Sequence, residues 1–395
     1  MKKIRHTLTA HWRPLVIFIS AFIALCFTYV FRLGTVTHNL LDSNEAQDHI
    51  ANRSLHHIFS DPLNAPYKLV DYVFLHFQPH NAAYSRLASV LFAVLACVLF
   101  GFIVYRWHGK RATVFMTALF GMSGWLLHVG KLGTGDILFI LIPLSLILLA
   151  SWANKTERHG LALLYMTFIA GLAFYTPGAI WFLLVGSFLI RKAIVTHLRH
   201  ARIWEKTICI ALTLILAGLL GYAFYRDTHL MRTWFFIPAT IPAPLTILKQ
   251  WLDTIVYLVF RGPNNANMWL GRSPILDSFT SLLAVIGVYF YATHNKNLRT
   301  QVLLSFAVLG SILVAFNGVQ AMGYIVPIVY LLAGTGLAYM LHTWLTVFPR
   351  NPIARSTGII LLSVVIVLAV VYHLTSYFIA WRYDPATIQA YNQEP

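Results

Sequence analysis

Apolar runs of 15–20 residues recur along almost the whole chain, separated by short polar or charged stretches. Runs of that length match the hydrocarbon core of a bilayer. There, only helices and closed barrels can satisfy their backbone groups. The runs are continuous rather than alternating and far longer than ordinary strands, so they predict helices. Composition agrees: of 395 residues, 58% are hydrophobic and 11% charged, against about a quarter charged in a soluble domain. The expected fold class is an all-α polytopic membrane protein, built as one membrane unit with no soluble domain.

Eleven spans are expected, near 15–31, 84–105, 112–129, 137–153, 161–176, 178–190, 207–225, 278–293, 302–316, 323–341 and 357–377. With the N-terminus cytoplasmic, the inner segments hold 18 of the 29 basic residues and only two acids, Glu157 and Glu205. The outer segments hold 11 basic and 11 acidic residues, so the whole excess of +16 lies inside. This is the positive-inside pattern. It makes anionic membrane lipid, not nucleic acid, the partner of the basic loops. No small-x-small site precedes Arg32, so the first span reads as an uncleaved anchor. Cys26, Cys97 and Cys209 lie far apart in apolar spans and imply neither a disulfide framework nor a metal site. No Asp, Glu, Lys or Arg sits mid-span, which speaks against an ion-coupled transporter.

Two long outer segments stand out, 32–83 and 226–277. In the first, Asn44 is the expected cap of an interfacial helix ending at Asp61-Pro62, with Gln47 as its capping-box partner. A second mixed stretch covers 67–77. In the other segment, 245–260 is apolar but carries Lys249 and Asp253 as an i,i+4 pair. It is expected to lie in the interface, leading to a polar loop with Arg261, Asn267, Trp269 and Arg272.

Three constellations could carry chemistry. Asp42-Ser-Asn-Glu45-Ala-Gln-Asp48 places carboxylates at the rim, suited to general-base work or to a metal shared with substrate phosphate. Glu45 equally suits the first turn of a helix electrostatically. Gly130-Lys131-Leu-Gly-Thr-Gly-Asp136 offers a tight turn and one charge of each sign, although Asp136 also reads as a plain helix cap. Lys68, Arg86, Arg232, Arg261 and Arg272 form a set of outer cations that could bind phosphate or snorkel to headgroups. The histidines at 38, 49, 56, 57, 76 and 80 show no zinc-site spacing and read as interfacial polar residues. Asn52-Arg-Ser54 is a sequon of a kind frequent by chance.

Taken in order, these landmarks resemble the GT-C membrane glycosyltransferases, and most nearly the bacterial branch related to protein O-mannosyltransferases and aminoarabinose transferases. Ser43-Asn44-Glu45-Ala46 stands where that branch has an outer Asp-Glu pair. Pro66-Tyr-Lys68-Leu69 is similar to its Pro-Pro-Leu stretch, and Arg86-Leu87-Ala-Ser89 to its Arg-Leu-x-Ser entry. Gly130-Lys131 to Asp136 is similar to its Gly-Arg-x-x-x-x-Asp element. Gly323-Tyr324-Ile-Val-Pro327 resembles its Arg-Tyr-Leu-x-Pro helix. Asn44 replaces the first Asp of the pair, and Met322-Gly323 stands where an Arg is expected.

The resemblance covers about residues 15–345. It implies a GT-C-like catalytic membrane module over 1–226, a second outer loop over 227–277, and C-terminal helices with a short outer tail over 278–395. It implies a polyprenyl-phosphate-linked sugar donor, a glycan, lipid or protein acceptor, and inverting displacement on the outer face of a bacterial inner membrane. Glu45 is the expected base, with Asp42, Asn44 and Asp136 beside it. Lys131, Lys68, Arg86, Arg261 or Arg272 would meet the phosphate. No cofactor is required by the motifs, and a divalent metal (Mg²⁺ or Mn²⁺) at Glu45 and Asp136 is compatible with them. A non-catalytic partner of the same fold in envelope glycan assembly is the main alternative, and a lipid or solute transporter the lesser one.

Overall fold

The computed structural model describes residues 16, 19–34, 37, 40–78, 81–263, 265, 272–293 and 297–392. His38, His80, Asn267 and Trp269 lie outside these residues, as does part of the start of the first expected span. Among the described residues there is no strand.

Helix α1 (Ile19–Val30) leads into three short helices, α2 (Ser43–Ala51), α3 (Leu55–Ser60) and α4 (Ala65–Phe77), before the long α5 (Ala82–His108). One interfacial helix was expected up to Asp61; the chain instead breaks at 52–54, where Asn52 turns inward and binds Asp71 of α4 at 2.8 Å. The expected span at 112–129 is likewise two helices, α6 (Lys110–Gly121) and α7 (Gly124–Val129). Ser123 separates them, its Oγ accepting from Leu126 N–H as the cap of α7.

A 3-10 turn at Gly135–Ile137 opens α8 (Leu138–Ala153). Then follow α9 (His159–Phe174), α10 (Ala179–Leu189), α11 (Arg191–His200), α12 (Ile203–Arg226), α13 (Thr228–Trp234) and α14 (Pro244–Ile255). The last continues as a π-helical turn, Val256–Phe260. The chain ends with α15 (Ser278–Thr293), α16 (Leu298–Asn317), α17 (Met322–Val347), α18 (Pro352–Thr375) and α19 (Pro385–Asn392). A π-helical turn, Ser376–Trp381, extends α18.

Within the described residues, each of the eleven expected apolar stretches lies on helix, the one at 112–129 on two. Among the described residues, five apolar helical stretches are long enough to cross a membrane, or six if the bent pair α10–α11 counts as one span. One of the five, Leu298–Val347, comprises both α16 and α17. Ile19–Val30, His159–Phe174 and Ser278–Thr293 are shorter apolar helices.

The apolar window of Gly135–Ala153 is 83% buried, against 17% for α12 and 22% for Pro352–Trp381. α8 is therefore the axis of the bundle. A helix that is hydrophobic all round can be buried on every face. Beside it, α15 and α17 pack backbone to backbone. A Cβ at Gly287 would collide with the Leu332 carbonyl, and one at Gly336 with the Leu283 carbonyl. Small residues permit this approach where lipid supplies no hydrophobic drive between helices.

Candidate active site

The end of α8 that begins the helix faces α2–α4, the start of α5 and the loop 130–136. Asp42, not Asn44, caps α2. Its Oδ1 accepts from Asn44 N–H (2.7 Å) and Glu45 N–H (2.9 Å), and Glu45 Oε2 accepts from Asp42 N–H at 3.2 Å. This reciprocal box satisfies three backbone donors at once, which the expected pair Asn44 and Gln47 does not do. Asn44 falls in the first turn with its side chain exposed.

Glu45 is completely buried. Arg86 of α5 grips it bidentately, Nε to Oε1 at 2.9 Å and a terminal nitrogen to Oε2 at 2.8 Å. Gly133 N–H donates to Oε1 at 2.7 Å. The remaining Arg86 donors meet Thr37 Oγ1 and the Leu40 carbonyl, both at 2.9 Å. Burial alone would raise the Glu45 carboxyl, but the guanidinium and the backbone donors outweigh it and hold the group below the usual carboxylate range. Gly133 is required here because a Cβ would stand 3.0 Å from Ser85 Oγ and 3.4 Å from Glu45 Oε1. Ser89 Oγ ties the same loop to α5 through the Thr134 carbonyl at 3.3 Å.

The loop turns its two charges to opposite sides of this clamp. Lys131, 4% exposed, donates to the Phe31 carbonyl at 2.8 Å. It lies over the rings of Phe378 (4.5 Å) and Tyr377 (5.3 Å). Burial first, then the Arg86 charge, push its ammonium down to about 7. It lines a small cavity with Arg32, Arg86, His128, Tyr377 and Tyr391, the last of these from α19.

On the other side Asp136 accepts from Thr134 Oγ1 at 3.3 Å, and its charge and that of Asp48 act on each other. Both residues are partly exposed. Burial pushes the Asp48 carboxyl up to about 6; the Lys68 charge pulls against this, Asp61 and Asp42 add to it, and Gly135 N–H lowers it. Burial also raises Asp42, with Glu45 adding to it. Lys68 is held by Asp61, at 2.7 Å to Oδ2 and 2.9 Å to its carbonyl. Asp71, fully buried, is pushed up to about 7 by burial despite its bond from Asn52. Buried Asn52 is thereby removed from use as a sequon.

The structure thus brings Asp42, Glu45, Arg86, Lys68, Lys131 and Asp136 into one region. Arg261 and Arg272 are exposed on the far segment after α14. Among the described residues, no group of three or more His, Cys, Asp or Glu could hold a metal ion. Asp71, Thr134 and the aromatic wall of Tyr377, Trp381 and Tyr391 did not stand out in the sequence. A lone acid on the apolar face of 67–77 was the signal for Asp71. For the aromatics there was none, since they return from the other end of the chain. At position 323, where an Arg was expected, a Cβ would lie 2.7 Å from Phe139 Cβ. The neighbouring Tyr324 stacks on Phe139 (4.8 Å) and Phe182 (4.9 Å) and donates to the Pro177 carbonyl.

These features sit on an all-helical fold whose apolar helices are long enough to cross a membrane. Two solved structures share it across nearly the whole chain. ArnT from Cupriavidus metallidurans in the apo state superposes with a TM-score of 0.58 at 13% identity, covering 96% of this chain and 77% of that one. ArnT from the same organism bound to undecaprenyl phosphate gives 0.57 at 14% identity, covering 94% and 77%. No family model matches the sequence. No curated protein sequence matches it either.

Proposed function

We propose that the protein is a membrane glycosyltransferase that moves a sugar from a polyprenyl-phosphate donor to an acceptor hydroxyl on the outer face of a bacterial inner membrane. One observation carries this reading. The loop 130–136 sets Lys131 in a small cation and aromatic pocket on one side and the partly exposed Asp136, near Asp48 of α2, on the other. An anionic leaving group and a proton acceptor are what sugar transfer from a lipid phosphate needs. The shared fold with ArnT, one structure of which holds undecaprenyl phosphate, supports the donor class.

The acceptor oxygen attacks the anomeric carbon as the bond from that carbon to the phosphate oxygen breaks, with inversion. The polyprenyl phosphate leaves with the electron pair, and Lys131 and Arg32 offset its charge. The acceptor proton passes to Asp48, whose carboxyl near 6 suits a base at neutral pH. Asp136 orients the acceptor. Glu45, with its lone pairs occupied by Arg86 and backbone N–H groups, holds Arg86 and the loop in place instead of taking the proton. A divalent cation, if bound, would be held by Asp48 and Asp136. Such an ion would offset phosphate charge.

The test compares envelope glycans from a deletion strain and from the same strain carrying wild type or Asp48→Asn at equal level. A sugar lost in the deletion and restored by wild type but not by Asp48→Asn supports the reading. Full restoration by Asp48→Asn removes Asp48 as base and favours a non-catalytic role.

A further inference from the structure

Away from the carboxylates, a half-open cleft of about 410 Å³ lies between the end of α14 with its π turn and the turn that joins α16 to α17. Seven of the described residues line it, and four carry carboxamides: Gln250, Asn265, Asn317 and Gln320. Tyr257 adds a phenol, and among the described residues no Lys, Arg, Asp or Glu lines the cleft. Its volume suits a small ligand or a short segment of a larger one.

The cleft is shaped by local backbone choices. α14 lies against α16, where Trp251 Nε1 donates to Ser311 Oγ at 3.4 Å. The helix then widens into the π turn that carries Tyr257. Such turns recur at functional sites. Opposite, Gly318 adopts a φ of +66°, which turns the chain from α16 towards α17 without a side chain in the opening. Gln250 Oε1 is buried and has no hydrogen-bond partner among the described residues. An unpaired buried acceptor costs about 1–3 kcal/mol, so a turn of the Gln250 carboxamide that brings it to a ligand donor is favoured.

The cleft is also connected to the carboxylate site. Asn317 Nδ2 donates to the Phe236 carbonyl at 2.9 Å. Phe236 packs on Phe139 at 5.4 Å, close behind Asp136 in sequence. Phe236 and Phe139 thus link Asn317 of the cleft to the helix that follows Asp136.

We infer that this cleft binds an uncharged, hydroxyl-rich saccharide and is the docking site of a glycan acceptor. A carboxamide both donates and accepts, matching the hydroxyls of a sugar. A phosphorylated headgroup would call for cations, and the described lining holds none. As an acceptor site the inference rests on the glycosyltransferase reading; as a saccharide site it does not.

The experiment is saturation-transfer NMR on the full chain in a sugar-free detergent. The probes are mannobiose and N,N′-diacetylchitobiose, with glucose 6-phosphate, inorganic phosphate and a Ser/Thr-rich peptide as comparisons. At least one uncharged disaccharide is expected to show transfer, unaltered by salt. Gln250→Leu and Gln320→Leu should each weaken it about five-fold, the size of one neutral hydrogen bond. Gln320 is exposed, so its replacement leaves folding intact, and thermal unfolding checks Gln250→Leu. Asp48→Asn should bind the sugar like wild type. No transfer to either disaccharide, preference for the peptide or a phosphate probe, or binding unaffected by both variants would each overturn the inference. Sugar binding that persists in a protein with no transferase activity would sink the catalytic reading and leave the saccharide site standing.

Discussion

Glu45 and Asp48 stand one helical turn apart on α2, yet their surroundings give them opposite properties. Glu45 is sealed, with a guanidinium and backbone donors around it, and its carboxyl is held low. Asp48 is partly open, has a weaker set of partners and other acids nearby, and its carboxyl is pushed up to about 6. A sealed, fully bonded acid contributes to the architecture. A raised acid beside open space is a cost to the fold at neutral pH, and perturbed groups of that kind cluster at functional sites. Two acids of one sequence motif thus differ in hydrogen-bond occupancy, and the proposed roles rest on that difference.

Exchanging the two acids for amides breaks or upholds this contrast. Glu45→Gln leaves Arg86 buried without a counter-charge and should cost about 3–5 kcal/mol, the scale for breaking a buried pair from one side. Thermal unfolding in detergent reads this directly, and the doubly apolar Glu45→Leu/Arg86→Met chain should regain much of the loss. Asp48→Asn should do the reverse, keeping or raising stability at pH 7. The sign follows from linkage: a carboxyl raised in the fold favours the folded state at low pH and loses that contribution as pH rises from about 4 to 6. A stable Glu45→Gln protein would sink the clamp, and an unstable Asp48→Asn protein would make Asp48 architectural as well.

Much of the fold was legible because lipid solvation leaves a plain record in sequence. Within the described residues, every expected apolar stretch lies on helix, and the acidic segment, Arg86 and the 130–136 loop, quoted separately as motifs, do meet. What could not be read was competition between side chains for backbone groups. Asp42 takes the cap from Asn44 through two donors at once, and Asn52 breaks an apparently continuous helix because Asp71 lies opposite. The aromatic pocket around Lys131 depends on Tyr377 and Tyr391, some 250 residues further on, and no local pattern announces such a return.

The two sides of the loop also predict a bell-shaped pH dependence of kcat/KM for sugar transfer. The acid limb should fall below about pH 6 as Asp48 protonates, and the alkaline limb above about pH 7 as free Lys131 loses its charge. Lys131→Arg stays charged throughout and should move the alkaline limb upward while leaving the acid limb in place. Bound donor phosphate stabilises the ammonium, so the alkaline limb should be weaker in kcat than in kcat/KM. A profile flat from pH 5.5 to 8 would remove both assignments.

The smallest effect gives the sharpest check. Lys68 and Asp61 form an ion pair, the lysine 11% and the acid 49% exposed. With its carboxylate half open to water the pair is screened, so Lys68→Met should lower stability by about 1 kcal/mol at most. Yet the Lys68 charge is the main force pulling the Asp48 carboxyl down against burial. Its removal should shift the acid limb of the rate profile to higher pH, and Asp61→Asn, which removes a negative neighbour, should shift it lower. Opposite shifts from two nearly silent substitutions would identify Asp48 as the titrating group, because neither residue stands among the groups acting on Glu45. An acid limb that ignored both would have to come from another carboxyl. Asp136, which accepts from Thr134 Oγ1, would then be the residue to test as base.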